Sequence, residues 1–187
     1  MNTTALIVID IQNEYFENGG MELVNPIAAS LNAGKIISHF RDKKAPVIHI
    51  QHISPDPAKM PFFIAGTAAS EIHPNVRPQS QEKVIQKHFP NSFRETDLFG
   101  YLKANHITEL VIVGMMTHMC IDATTRAAAD FGFQCTVIGD ACATRDLEMN
   151  GATVKADDVQ LAFLTALAFF YAEIQTTETY LAQKREI

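Results

Sequence analysis

The chain lacks most of what would point to nucleic acid, a membrane or an export route. Its 187 residues hold 15 Lys and Arg against 21 Asp and Glu, a formal net charge of −6, with no basic run and no RNP-like aromatic pattern. Phosphate backbones and anionic lipid surfaces are held by clustered positive charge, so neither nucleic acid nor a membrane is expected as a partner. Long hydrophobic runs are missing as well. The longest, Leu161 to Ala172, is shorter than a bilayer requires and is interrupted by Thr165. The opening Met1-Asn2-Thr3-Thr4 has neither the charged region nor the cleavage pattern of a signal peptide. Cysteine is scarce: Cys120, Cys135 and Cys142 are an odd number without framework spacing, which fits a reducing compartment. The expected location is cytoplasmic.

What is present suffices for a core. With 47% hydrophobic residues over 187 positions, one well-buried domain spanning 1–187 is expected, and no repeat or linker divides it. Ala5 to Ile9, Pro46 to Gln51, Lys83 to Gln86, Leu110 to Val113, Cys135 to Gly139 and Ala172 to Gln175 have strand character. Between them lie helical stretches. One starts at Asn25-Pro26, as cap and first-turn proline, and runs to about Lys43; others cover Glu95 to Asn105, His118 to Phe131 and Val154 to Phe170, with a short one at the end. Alternation of this kind predicts an α/β fold, a parallel sheet covered by helices on both faces. The proline-rich stretch from Ser54 to Gln81 is too long for a simple connection and is expected to form a lid or contact surface.

The segment from Val111 to Arg126 carries the strongest chemical signal. A buried strand ends at Gly114, Thr117 is placed to cap a helix, and Gly132 to stop it. Cys120 then falls in the first turn, where free N–H groups favour negative charge and would lower a thiol's pKa. A cysteine in apolar surroundings is equally often a small core residue. Two further groups bear on the choice: Asp10 follows the first strand and Lys87 the third, as Cys120 follows the fourth. Ligands bind open parallel sheets beyond the carboxyl ends of their strands. A carboxylate, an ammonium and a thiol gathered there are the parts of a nucleophilic acyl-transfer site.

The sequence resembles the isochorismatase-like cysteine hydrolases over nearly its whole length. The resemblance rests on Ile7-Val8-Ile9-Asp10-Ile11-Gln12-Asn13, on Lys87 with Pro90-Asn91-Ser92-Phe93, and on Gly114 through Arg126. It implies a three-layer α/β/α, Rossmann-like fold with a six-stranded parallel sheet in the order 3-2-1-4-5-6. It also implies an Asp10-Lys87-Cys120 triad and a non-proline cis peptide at Met115-Met116. The Met116 and Cys120 N–H groups would form the oxyanion hole. A small amide-type substrate, no cofactor and a homo-oligomer, dimer or tetramer, belong to the same expectation. The nicotinamidase branch adds a metal site after the second strand, but His49 and His52 are three apart and would point to opposite faces of a strand, so no metal is expected.

Three functions follow in order. The first is a cysteine-dependent amidohydrolase cleaving a carboxamide or ureido C–N bond through a thioester. The second is an isochorismatase-type vinyl-ether hydrolase, and the third a non-catalytic binding member of the fold. Gln12, Phe16, Phe62, Phe93 and His118 are candidate substrate contacts. Each has an alternative: Gln12 and Asn13 as loop braces, Phe63 and the other aromatics as core, His118 as an ordinary first-turn residue. Arg126 is expected to pair with a carboxylate, Asp140 to cap the residues after it, and Cys135 and Cys142 to be structural.

Overall fold

The computed structural model describes residues 3–183; Met1 and Asn2, part of the opening stretch considered above, lie outside the described residues. Eight strands form in chain order: β1 Thr3–Ile9, β2 Val47–His52, β3 Lys83–Lys87, β4 Ile107–Met115, β5 Gln134–Ala143, β6 Leu147–Met149, β7 Ala152–Val154 and β8 Glu173–Gln175. The helices are α1 Pro26–Asp42, α2 Leu98–Ala104, α3 Asp122–Asp130, α4 Ala156–Phe170 and α5 Thr177–Ala182. The six-stranded sheet runs β3-β2-β1-β4-β5-β8 with every neighbouring pair parallel. Its order is the expected one, except that the sixth strand is eighth in the chain because a β6-β7 hairpin intervenes.

Period-two alternation sorts the sheet residues into two cores. Leu6, Val8, Val111, Val113 and Met115 face α1 and α5, packing against Ala33, Ile36, Phe40 and Tyr180. Ala5, Ile7, Ile9, Leu110 and Ile112 face α2, α3 and α4, where Leu98, Leu102, Ala128 and Leu167 cover them. Strands buried on both sides must be apolar at every position, and β1 and β4 are nearly so. The layers are therefore helix, sheet, helix. Among the described residues no helix is long and apolar enough to cross a membrane.

Several local expectations change. Asn25 sits at the start of α1 with φ 55° and makes no side-chain capping bond. The helix expected over Glu95 to Asn105 shortens to Leu98–Ala104, and Val154 belongs to β7 rather than to α4. Strand β5 continues to Ala143, so Cys142 lies inside it, and Asp140 Oδ1 accepts from Thr177 N and Oγ1 to cap α5 instead of its own successors. The missed hairpin turns on Asn150-Gly151, with φ of 52° and 78°. Two successive left-handed residues are what a tight two-residue hairpin turn requires, and Asn-Gly is its usual sequence.

Candidate active site

Three parallel strands end side by side. β1 delivers Asp10, whose N–H donates to Ile50 O at 3.0 Å and whose φ is 51°. β3 ends on Lys87, in register with His52 of β2. β4 runs into a single π-type turn, Thr117–Ile121, which holds Cys120 before α3 begins. Asp10 and Lys87 are fully buried and Cys120 is 3% exposed. Lys87 Nζ lies 2.8 Å from Asp10 Oδ2 and donates to Pro90 O at 2.8 Å. Asp10 and Cys120 present a carboxylate oxygen and Sγ within 4.8 Å of one another. The sheet order brings these three groups together although they are distant in the chain.

The turn around the thiol differs from the expected helix start. Thr117 does not cap it: Thr117 Oγ1 donates to Gln160 Oε1 at 2.6 Å, in α4. The Met119 and Ile121 N–H groups both donate to Met116 O, at 3.1 and 3.2 Å, which folds the chain tightly below Cys120. The Met115–Met116 peptide is cis. Gly114 immediately before has φ 136°, and a Cβ there would come within 2.0 Å of Ile9 O, so only glycine lets β4 lie this close to β1.

Electrostatics correct the expected thiol acidity. Burial and the Asp10 carboxylate push the Cys120 thiol well up, and Lys87 offsets this only in part. The site is not an exposed helix end that favours thiolate. Burial also pushes the Asp10 carboxyl up, but Lys87 and then His52 outweigh it and hold it below its ordinary 3.8. Burial pulls the Lys87 ammonium down, and the Asp10 charge more than restores it, leaving it above its ordinary 10.5. The resting site is thus carboxylate, ammonium and neutral thiol, with an ionised base beside the thiol whose proton it can take.

His52 occupies a place that the linear pattern did not assign to catalysis. Its Nδ1 lies 3.8 Å from Asp10 Oδ2 and 4.0 Å from Cys120 Sγ, and its ring stacks on Phe63 at 5.1 Å. The available signal was its position: it ends β2, the strand between those that carry Asp10 and Lys87. His49, by contrast, faces away and pairs through Nε2 with Glu82 Oε2 at 3.0 Å. The two histidines do not share a ligand, so the nicotinamidase-type metal arrangement does not fit these residues.

The remaining candidates separate. Gln12 is fully buried and spends its amide on backbone: Nε2 donates to His52 O and Ser70 O, and Oε1 accepts from His52 N. It braces the loop rather than offering itself to a substrate, and Asn13 does likewise through Ala68 O. Phe93 packs against Phe131 and Phe133 and belongs to the same apolar cluster as Cys120. Phe62 meets Phe63 edge-on within the long loop, and Phe16 stacks on His73 of that loop at 3.8 Å. His118 Nδ1 is 2.6 Å from Thr144 Oγ1, and Arg126 pairs with Asp122. Glu14, unnoticed in the sequence, accepts from Gly20 N and from Phe63 N, and so fixes the ring that backs His52.

The chain matches the family model of the isochorismatase domain over residues 4–177. It is 52% identical to an uncharacterized isochorismatase family protein of Bacillus subtilis over 179 residues, 96% of this chain and 99% of that one. A crystal structure from Oleispira antarctica assigned to the isochorismatase hydrolases superposes with TM-score 0.93 at 48% identity, over 97% of each chain. A cysteine hydrolase from Pseudomonas syringae pv. phaseolicola superposes with TM-score 0.90 at 25% identity, over 95% of this chain and 90% of that one.

Proposed function

The chain belongs to the isochorismatase family of hydrolases, and we propose that it cleaves the C–N bond of a small carboxamide or ureido compound through a Cys120 thioester. The observation that carries this reading is the buried Asp10–Lys87 pair at 2.8 Å, set against a thiol that is neutral at rest. Such a thiol attacks only if its proton leaves as the bond forms, and an ionised carboxylate beside it can take that proton. Sγ bonds to the carbonyl carbon while Asp10 accepts the S–H proton, and the carbonyl becomes an oxyanion held by the Met116 and Cys120 N–H groups. The C–N bond then breaks and Asp10 returns the proton to the leaving nitrogen. Water adds to the thioester, Asp10 takes its proton, and the carboxylic acid departs as the thiol is restored. Lys87 holds Asp10 ionised before each proton transfer, so that it is ready to accept.

The cysteine hydrolase of Pseudomonas syringae supports this reading by its name and its fold. No cofactor and no metal enter the steps. A homo-oligomer is part of the proposal, supported by apolar side chains that α4 leaves exposed: Leu161 at 67%, Phe169 at 90% and Phe170 at 79%. The test is intact mass spectrometry after rapid mixing with a panel of amides and ureido acids. An acyl adduct on the wild type, absent in Cys120→Ala together with turnover, is the expected result. Turnover that survives in Cys120→Ala would end the thioester reading and put vinyl-ether hydrolysis in its place.

A further inference from the structure

The proposed chemistry gives work to Asp10, Lys87 and Cys120 but none to His52, which is also buried. Its backbone is fixed on both sides by Gln12, and its ring is held against Phe63. An imidazole so firmly placed presents Nδ1 to a thiol at 4.0 Å and to a carboxylate oxygen at 3.8 Å. Its Nε2 and Asp10 Oδ1 are both buried without a hydrogen-bond partner among the described residues. Donor atoms from Asp10, His52 and Cys120 all fall within 4.8 Å of one another.

Sulfur, nitrogen and oxygen around one tetrahedral zinc stand about 3.5 Å apart, from bond lengths of about 2.0–2.3 Å. The 3.8 Å from His52 Nδ1 to Asp10 Oδ2 and the 4.0 Å from Nδ1 to Cys120 Sγ need to contract by about half an ångström to reach that geometry, and the Asp10–Cys120 separation, within 4.8 Å, by up to about 1.3 Å. Cysteine, histidine and aspartate together suit a borderline-soft divalent ion better than calcium or magnesium, which take oxygen ligands. Asp10 Oδ2, the oxygen 3.8 Å from His52 Nδ1, also accepts from Lys87, so the ion would share it with the ammonium or turn the carboxylate to use the unpartnered Oδ1. A fourth coordination position remains for water.

We propose that Asp10, His52 and Cys120 form a binding site for a zinc-class divalent cation, which occupies the nucleophile and base at once and switches hydrolysis off reversibly. This is a different donor set from the paired histidines excluded above, and the ion blocks the chemistry rather than serving it. The inhibitory consequence rests on the thioester reading; the binding itself does not. His52 is then the residue that makes a hydrolytic triad into a cation trap.

The experiment measures binding without any substrate. Metal-free wild-type protein is titrated with zinc by competition against a chromophoric chelator, and separately with cobalt(II) as a spectroscopic probe. One equivalent of zinc is expected, and cobalt should give a thiolate-to-metal charge-transfer band with tetrahedral d–d absorption. His52→Gln should weaken zinc binding at least tenfold, and Cys120→Ser should abolish the charge-transfer band. If Cys120→Ser does not fold, the Cys135→Ala, Cys142→Ala double variant assigns the band instead, since it should keep it. The proposal is overturned if the wild type binds no stoichiometric cation, if His52→Gln binds as tightly, or if the band follows Cys135 or Cys142. Turnover is assayed separately with and without zinc. An inactive protein that still binds zinc would sink the amidase reading alone, and an active one that ignores zinc would sink this one alone.

Discussion

Asp10 carries a charge demand and a backbone demand at the same residue. Its φ of 51° places it in the left-handed region, which aspartate and asparagine enter more readily than other non-glycine residues. Asp10→Asn therefore keeps the backbone while removing the base, and kcat/KM should fall about 10²–10⁴-fold in an amide assay. The neighbouring ammonium yields a prediction in pH. With Lys87 present the carboxyl titrates below its ordinary 3.8, so the acid limb of kcat/KM should lie below that value. In Lys87→Met only burial and His52 remain, burial being the largest influence, and the limb should move upward. A pH–rate profile with an unmoved limb would mean that Asp10 is not the base. At this scale the convergence of Asp10, Lys87 and Cys120 was legible in the sequence, because each lies at or just past the end of a run of strand-forming residues. The thiol's acidity was not, because the turn that buries Cys120 is set by contacts from Gln160 and Met116 that have no local signature.

Elements explain where local signals failed. The π-type turn at Thr117–Ile121 needs an N–H to reach back five residues, as Ile121 does to Met116, and no residue type announces that. The β6-β7 hairpin was missed although Asn150-Gly151 is a turn signal, because its strands are three residues each and show no buried face. Gly151→Val should destabilise this hairpin by about 1 kcal/mol and leave the site untouched, since only the exposed turn is strained. The contrast is Gly114, where an added Cβ would strike Ile9 O in the centre of the sheet. Gly114→Ala should cost about 3 kcal/mol or more in urea unfolding and separate the strands that carry Asp10 and Cys120. A stable Gly114→Ala protein with full activity would show that the close β1–β4 approach is dispensable.

Across the whole molecule, the resemblance implied the sheet order, and the long loop was expected as a lid without its contacts. The strand order places His52 between Asp10 and Lys87; the sequence marked the 54–81 stretch as a lid or contact surface, but not that Phe63 within it would stack on the His52 ring. The exposed aromatics at the end of α4 give a prediction at this level: Phe169→Asp should lower the solution mass seen by light scattering toward that of one chain. If the wild type is already a monomer at micromolar concentration, the oligomer proposal fails. Stability should also have a defined window. Asp10 is depressed from 3.8 and Glu82 from 4.5 to about 2, so their contributions are present above those ordinary values and lost as pH falls through the lowered ones. Lys87 is raised above 10.5, so its contribution is complete below that value and lost at higher pH. His49, His73 and His118 are lowered from 6.5 and the three buried thiols raised from 9.0, so urea midpoints should be highest between about pH 7 and 8.5 and fall on either side.

Gln12 ties the end of β2, the chain at Ser70 and the residue after the first strand into one knot with a single buried amide group. In heavy water the His52 N–H, which ends on that amide, should be among the last in the molecule to exchange for deuterium. The protein would then keep a record of its own opening. Any event that lets this one proton go has also loosened the strand beneath the thiol, so a single late-exchanging amide can time the exposure of the whole site.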